Sequence, residues 1–171
     1  MNYTPLYIKT DNSILESLIK IPDLIKFAKD NNIKSLAIAD NSLYGVMDFY
    51  MQCKKENIKP IIGLHIILEE FQIVLFAKNY DGYKTLIKLS TIQNERKVTL
   101  DDLNNYHDEV IAVLPFISKE KYNDLKELFI ELYLGYTNRQ EQTEVLLQTK
   151  NIVFFRENLY LTRNDSETLP Y

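Results

Sequence analysis

Asp40 closes the apolar run LAIAD, and Asn41 follows it at the head of NSLYGVMDFY. A carboxylate at the end of a buried strand, where a helix is about to start, sits where α/β proteins usually place their chemistry. Asp40 could ligate a divalent cation or take a proton, whereas Asn41 does neither well. The same carboxylate also suits a plainer task, bonding the free N–H groups at the start of the next helix. His65, inside the apolar run PIIGLHII, could offer an imidazole nitrogen to a metal, although a histidine there is more often hydrogen-bonded within a core. Glu16 and Glu157 are isolated acids that carry little alone. Cys53, in VMDFYMQCKK, has no histidine near it in sequence and reads as packing. His107 follows Tyr106 in a polar stretch and reads as a solvated loop residue. Lys54, Lys55, Lys84 and Lys88 read as solvated helix faces. No Walker-type glycine loop, CxxC pair or GxSxG elbow occurs.

The elements that would position these residues follow from periodicity. TPLYIKT reads as a first strand. IPDLIKFAKDNN carries Ile21, Leu24, Ile25 and Ala28 at helical spacing, with Pro22 suited to the first turn. SLAIAD is a strand and SLYGVMDFYMQCKKEN a helix. IKPIIGLHIILEE and FQIVLFAKN are strands separated by an acidic turn. GYKTLIKLSTIQNE is helical, and Thr99 with Asp102 resembles a capping box in which Asp replaces Glu. VIAVLPF, IELYLGY and NIVFFRE read as strands, with SKEKYNDLKELF and NRQEQTEVLLQTKN as the helices between them. Strand and helix alternate six or seven times. That alternation predicts an α/β fold with a largely parallel sheet, either open or closed into a barrel.

The 171 residues read as one domain, 1–171, with 46% hydrophobic residues to build its core. Formal net charge is −4, so the surface lacks the basic character of a domain that grips phosphates, and no direct nucleic-acid binding is expected. A lone cysteine suits a reducing, cytoplasmic setting. MNYTPLYIKT has no signal-peptide pattern, and no apolar run is long enough to span a bilayer, so no membrane partner is expected. In LTRNDSETLPY, Asn164, Asp165 and Ser166, with Glu167, announce a helix that does not follow, which marks the chain as an expected N-terminal fragment of a longer one.

In their order, the blocks IADNSLYGVMDFY, NIKPIIG and FAKNYDGY, with VFFRENLYLTRND near the end, resemble the polymerase-and-histidinol-phosphatase (PHP) domains that open bacterial DNA polymerase III alpha subunits. The resemblance covers essentially the whole chain. It implies a distorted barrel of about seven βα units whose strand ends hold divalent metals through His, Asp and Glu. Active members hydrolyse phosphoesters or remove misincorporated nucleotides.

Residue by residue, the family's ligands are mostly replaced. Its opening His-x-His falls on Tyr7-Ile8-Lys9, and the acidic residue after it on Glu16. Its Thr-Asp-His falls on Ala39-Asp40-Asn41. The acidic ligand after the third strand's glycine falls on His65, and the histidine opening the next strand on Gln72. The closing Asp-x-His falls on Glu157-Asn158-Leu159. Tyr7, Lys9, Asn41, Gln72 and Leu159 are poor ligands, which leaves Glu16, Asp40, His65 and Glu157 as weak candidates for a metal. The resemblance thus implies a vestigial site with no catalytic residue and no cofactor of its own. A parent polymerase would use Mg²⁺ elsewhere, and the expected partners are the rest of that chain and other replisome proteins. Two rival readings are a metal-dependent phosphoesterase or 3′–5′ exonuclease with a reduced site, and a stand-alone protein of this fold with a small-molecule ligand. If Lys9 fills the space of a lost cation, it should approach Asp40, Glu16 or Glu157.

Overall fold

A computed structural model of the chain describes residues 5–13 and 17–158. These divide into two compact units, the first containing residues up to Ile62 together with those from Glu157 on, the second running from Gly63 to Arg156.

In the first unit, α1 (Ile21–Asp30) buries Ile21, Leu24, Ile25 and Ala28, the four positions its spacing singles out, and Pro22 lies in its first turn. β1 (Ser35–Asp40) is buried from Leu36 to Asp40. Such a run, covered on both faces, reads as continuous rather than alternating hydrophobicity. α2 (Val46–Lys55) buries Val46, Phe49 and Cys53. β2 (Lys59–Ile67) begins here, with the Lys59 N–H donating to Lys34 O. TPLYIKT, expected as a strand, is described from Pro5 on, and there Ile8 makes an isolated parallel bridge with Asn158. It is nonetheless held from both sides: Lys9 N–H donates to Asn158 O, Asn158 N–H to Tyr7 O, and Ala39 N–H to Ile8 O.

The second unit takes up β2 at Gly63 and pairs it with β3 (Gln72–Ala77) in antiparallel register, Leu64 opposite Leu75 and Ile66 opposite Ile73. α3 (Tyr80–Glu95) and α4 (Leu100–Asn105) lead to β4 (Val110–Leu114), also antiparallel to β3. A 3-10 turn (Phe116–Lys121) and the short α5 (Tyr122–Leu125) precede β5 (Leu132–Tyr136), which runs parallel to β4. α6 (Arg139–Leu146) returns the chain to β6 (Ile152–Phe154), parallel to β5. In this unit the strands stand in chain order, β2 to β6.

The sheet is therefore mixed where a largely parallel one was expected. The β2–β3 connection explains half of this. Only Leu68–Phe71 separates the two strands, Leu68 N–H closing on Phe71 O, and so short a link cannot make the crossover that parallel strands need. Among the described residues there are six strands rather than seven. No helix among them is long and apolar enough to cross a membrane.

Two local devices set the helices of this unit. α4 opens with the capping box read from the sequence: Asp102 N–H donates to Thr99 Oγ1, and Thr99 N–H donates to Asp102 Oδ2 at 2.8 Å. α3 is capped by Asn79, whose side-chain oxygen accepts from Gly82 N–H. Gly82 packs so closely on Glu109 that a Cβ there would collide with the Glu109 carbonyl oxygen.

Candidate functional site

β1 delivers Asp40, buried, to the end of the strand. Its carboxylate does not cap the following helix; α2 starts six residues on, behind Gly45, with no side-chain cap. Instead it organises the turn after Lys9. Oδ1 accepts from the Thr10 N–H and from the Ser13 hydroxyl, each at 2.7 Å, and Oδ2 accepts from the Thr10 hydroxyl at 2.7 Å. The Thr10 hydroxyl oxygen accepts in turn from Asn12 N–H, and the Asn41 N–H reaches Ser13 Oγ. Burial pushes the Asp40 carboxyl above its ordinary range, while the Thr10 and Ser13 donors and the nearby Lys9 charge pull against it. Neither Thr10 nor Ser13 stands out in the sequence, because each is some thirty residues from the carboxylate it serves; the only local signal is that TDNS is rich in turn-forming residues.

Lys9 lies in the same unit. It is 3% exposed and its ammonium is 3.0 Å from Glu157 Oε1. The approach to Glu157 expected of Lys9 is present. Tyr7 is buried beside it in sequence, and the Ser17 hydroxyl donates to the Lys9 carbonyl at 2.6 Å. This neighbourhood suits a dication poorly. Asp40 already accepts three strong hydrogen bonds of the roughly four a carboxylate can take. Glu157 faces an ammonium, and a second positive charge would have to enter against it.

His65 and Gln72 belong to the second unit and bond each other: His65 Nε2 is 2.9 Å from Gln72 Oε1, across the β2–β3 ladder. His65 is buried, as a hydrogen-bonded core histidine would be. Gln93, from α3, completes β2 on its other edge: its amide donates to His65 O, and its carbonyl accepts from Ile67 N–H. Gln72 is anchored through its backbone, whose N–H donates to Ser118 Oγ.

Cys53 is buried, and burial pushes its thiol up to about 12, which removes it as a nucleophile at neutral pH. His107 is one-third exposed, with Nδ1 facing Leu103 O and its ring edge-on to Phe129. Glu16, Leu159 and the cap residues Asn164, Asp165, Ser166 and Glu167 lie outside the described residues. Among the described residues, no three of His, Cys, Asp and Glu gather as a metal-binding set.

Comparison with known proteins places these features in a family. The PHP domain family model matches residues 5–166. A DNA polymerase III subunit alpha from Staphylococcus aureus is 33% identical over 96% of this chain, and one from Halalkalibacterium halodurans is 32% identical over 68%. The chain spans only 16% and 11% of those two proteins' lengths. Among solved structures, an amidohydrolase from Chromobacterium violaceum with bound sulfate and no metal superposes with a TM-score of 0.68, covering 95% of this chain and 89% of that one, at 8% identity. A two-domain protein from Bacteroides vulgatus containing a predicted PHP-like metal-dependent phosphoesterase gives 0.66, covering 95% of this chain and 53% of that one, at 8% identity. These structural likenesses speak to the fold alone, and they agree with the α/β PHP fold that the sequence blocks imply. A family match that runs over residues 5–166, almost end to end, assigns this chain to the PHP domain family.

Proposed function

We propose that this chain is part of a DNA polymerase III alpha subunit and that its PHP domain is a structural and interaction module without hydrolytic activity. The parent chain would carry out DNA-directed DNA synthesis in the cytoplasm, with its Mg²⁺ and catalytic carboxylates outside this domain. The 33% identity to a polymerase subunit over 96% of the chain supports the parentage. The observation that carries the loss of hydrolysis is Lys9, a buried ammonium 3.0 Å from Glu157. Phosphoester hydrolysis by metals needs a water of lowered pKa and dications on the phosphate oxygens. An internal ammonium supplies charge to Glu157 and Asp40 but cannot bind and activate a water as a metal does. With a net charge of −4, the surface suits protein partners, namely the rest of the polymerase and other replisome proteins, better than it suits DNA.

The test is elemental analysis of the purified natural full-length protein for Zn and Mn, with primer extension as its polymerase readout. An Asp40→Ala variant runs alongside in a mismatched-primer exonuclease assay with added Mn²⁺. The expected result is primer extension in both proteins, without stoichiometric metal beyond that of the polymerase site and without nucleotide release that depends on Asp40. About one further equivalent of metal, with release abolished in the Asp40→Ala protein, would instead establish a metal-dependent exonuclease with a reduced site.

A further inference from the structure

α2 carries more apolar surface than its packing uses. Val46, Phe49 and Cys53 face the core, yet on the adjoining arc Met47, Tyr50 and Met51 are 63%, 43% and 64% exposed, and Tyr44, just before the helix, is 78% exposed. Met47 and Met51 are four apart and share a face. A surface helix normally confines its apolar residues to the stripe that meets the core. Here the stripe continues into solvent. Methionine and tyrosine are enriched where protein surfaces meet, methionine because it reshapes to its partner and tyrosine because it is rigid, large and polar at one end. On the rim two ammoniums stand against one carboxylate: Lys54 lies 5.4 Å over the Tyr50 ring and Lys55 follows it, while Asp48 accepts from Gln52 at 2.8 Å and keeps its charge.

We propose that the α2 face formed by Tyr44, Met47, Tyr50 and Met51 is the seat of another segment of the same polypeptide, apolar and flanked by carboxylates. This inference rests on the polymerase reading above. A chain of the length of the Staphylococcus aureus relative leaves 84% of itself outside the stretch matched here, ample to supply such a segment. A second copy of this chain is a poorer occupant. A two-fold contact would set the Lys54 and Lys55 side chains of both copies against one patch, like charge on like.

The experiment uses the natural full-length protein treated with hydrogen peroxide, with sulfoxide formation at Met47 and Met51 followed by mass spectrometry. Rates are compared with those of the same protein unfolded in urea and repeated after a large dilution. Both methionines should oxidise at least about tenfold more slowly in the folded protein, and dilution should not change this. Oxidation within about twofold of the unfolded rate overturns the proposal. Protection that disappears on dilution also overturns it and names a second copy as the occupant. Primer extension by the same sample separates the two layers of the argument. Without it, the polymerase reading falls and this one with it; with it, unprotected methionines remove this inference alone.

Discussion

The Lys9 ammonium and the Glu157 carboxylate meet at 3.0 Å with unequal access to water: Lys9 is 3% exposed and the Glu157 side chain 37%. The two residues are therefore not interchangeable in what their loss would cost. Glu157→Gln takes a carboxylate away from a buried ammonium and should cost about 2–4 kcal/mol, whereas Lys9→Met leaves a carboxylate that water can reach and should cost about 0–2 kcal/mol. Urea titration of both variants and of the double variant measures the order. Equal costs, or a larger one for Lys9→Met, would show that the burial of Lys9 does not set the balance of the pair.

Asp40 depends on donors in the turn after Lys9. Thr10→Val removes the hydroxyl that donates to Oδ2 and should cost about 1–2 kcal/mol. It should also raise the Asp40 carboxyl further, since that hydroxyl is among the influences holding it down. Carbon-detected NMR titration of the Asp40 side chain reads this second effect. A Thr10→Val protein with unchanged stability and an unchanged titration would refute the network.

Asp102 supplies the pH dependence. Arg96 holds its carboxyl well below the usual range with a bidentate contact at 2.6 and 2.9 Å, and the Thr99 donors add to this against the opposing effect of burial. Because the folded-state value is depressed, the contribution to stability is fully present above the unfolded value near about 3.9. It is lost as pH falls below that value toward the folded one. Asp102→Asn should thus cost about 1–2 kcal/mol at pH 7, with the gap to the unaltered protein narrowing only below about pH 4. Thermal melts across pH 2–7 test the sign as well as the size.

Gly82→Ala would ordinarily favour a helix by up to about 1 kcal/mol. Here the new methyl meets the Glu109 backbone carbonyl, which a side-chain rotation cannot relieve. The substitution should destabilise by about 2–4 kcal/mol, read as a lowered urea midpoint. A neutral outcome would mean that the loop at Glu109 yields freely.

What the sequence made legible was mostly local. The Thr99–Asp102 capping box and the buried stripe of α1 involve residues a few positions apart, and each forms as its spacing implies. The antiparallel start of the sheet was also written in the short acidic turn at Glu69 and Glu70, whose length excludes a crossover. SKEKYNDLKELF reads as one helix but is a 3-10 turn followed by a four-residue helix; Ser118, bonded to Gln72 N–H in β3, pins its early part from outside the segment. The partners of Asp40 were illegible for a similar reason. Which hydroxyl reaches a strand-end carboxylate depends on how a distant turn is laid against it, and that information is long-range. Family resemblance set Lys9 against three acids, Asp40, Glu16 and Glu157, and the geometry shows the contact with Glu157.

Cys53 turns α2 into its own stability gauge. Its thiol is fully buried and its proton is held far more tightly than at neutral pH, so a thiol reagent in solution meets almost no reactive sulfur while the helix is seated. Labelling must wait for α2 to lift. With only one cysteine in 171 residues, the rate at which mass is added to this chain clocks that opening without any engineered probe. The same clock, run on the chain with and without whatever covers Met47 and Met51, converts the grip of that cover into a ratio of rates.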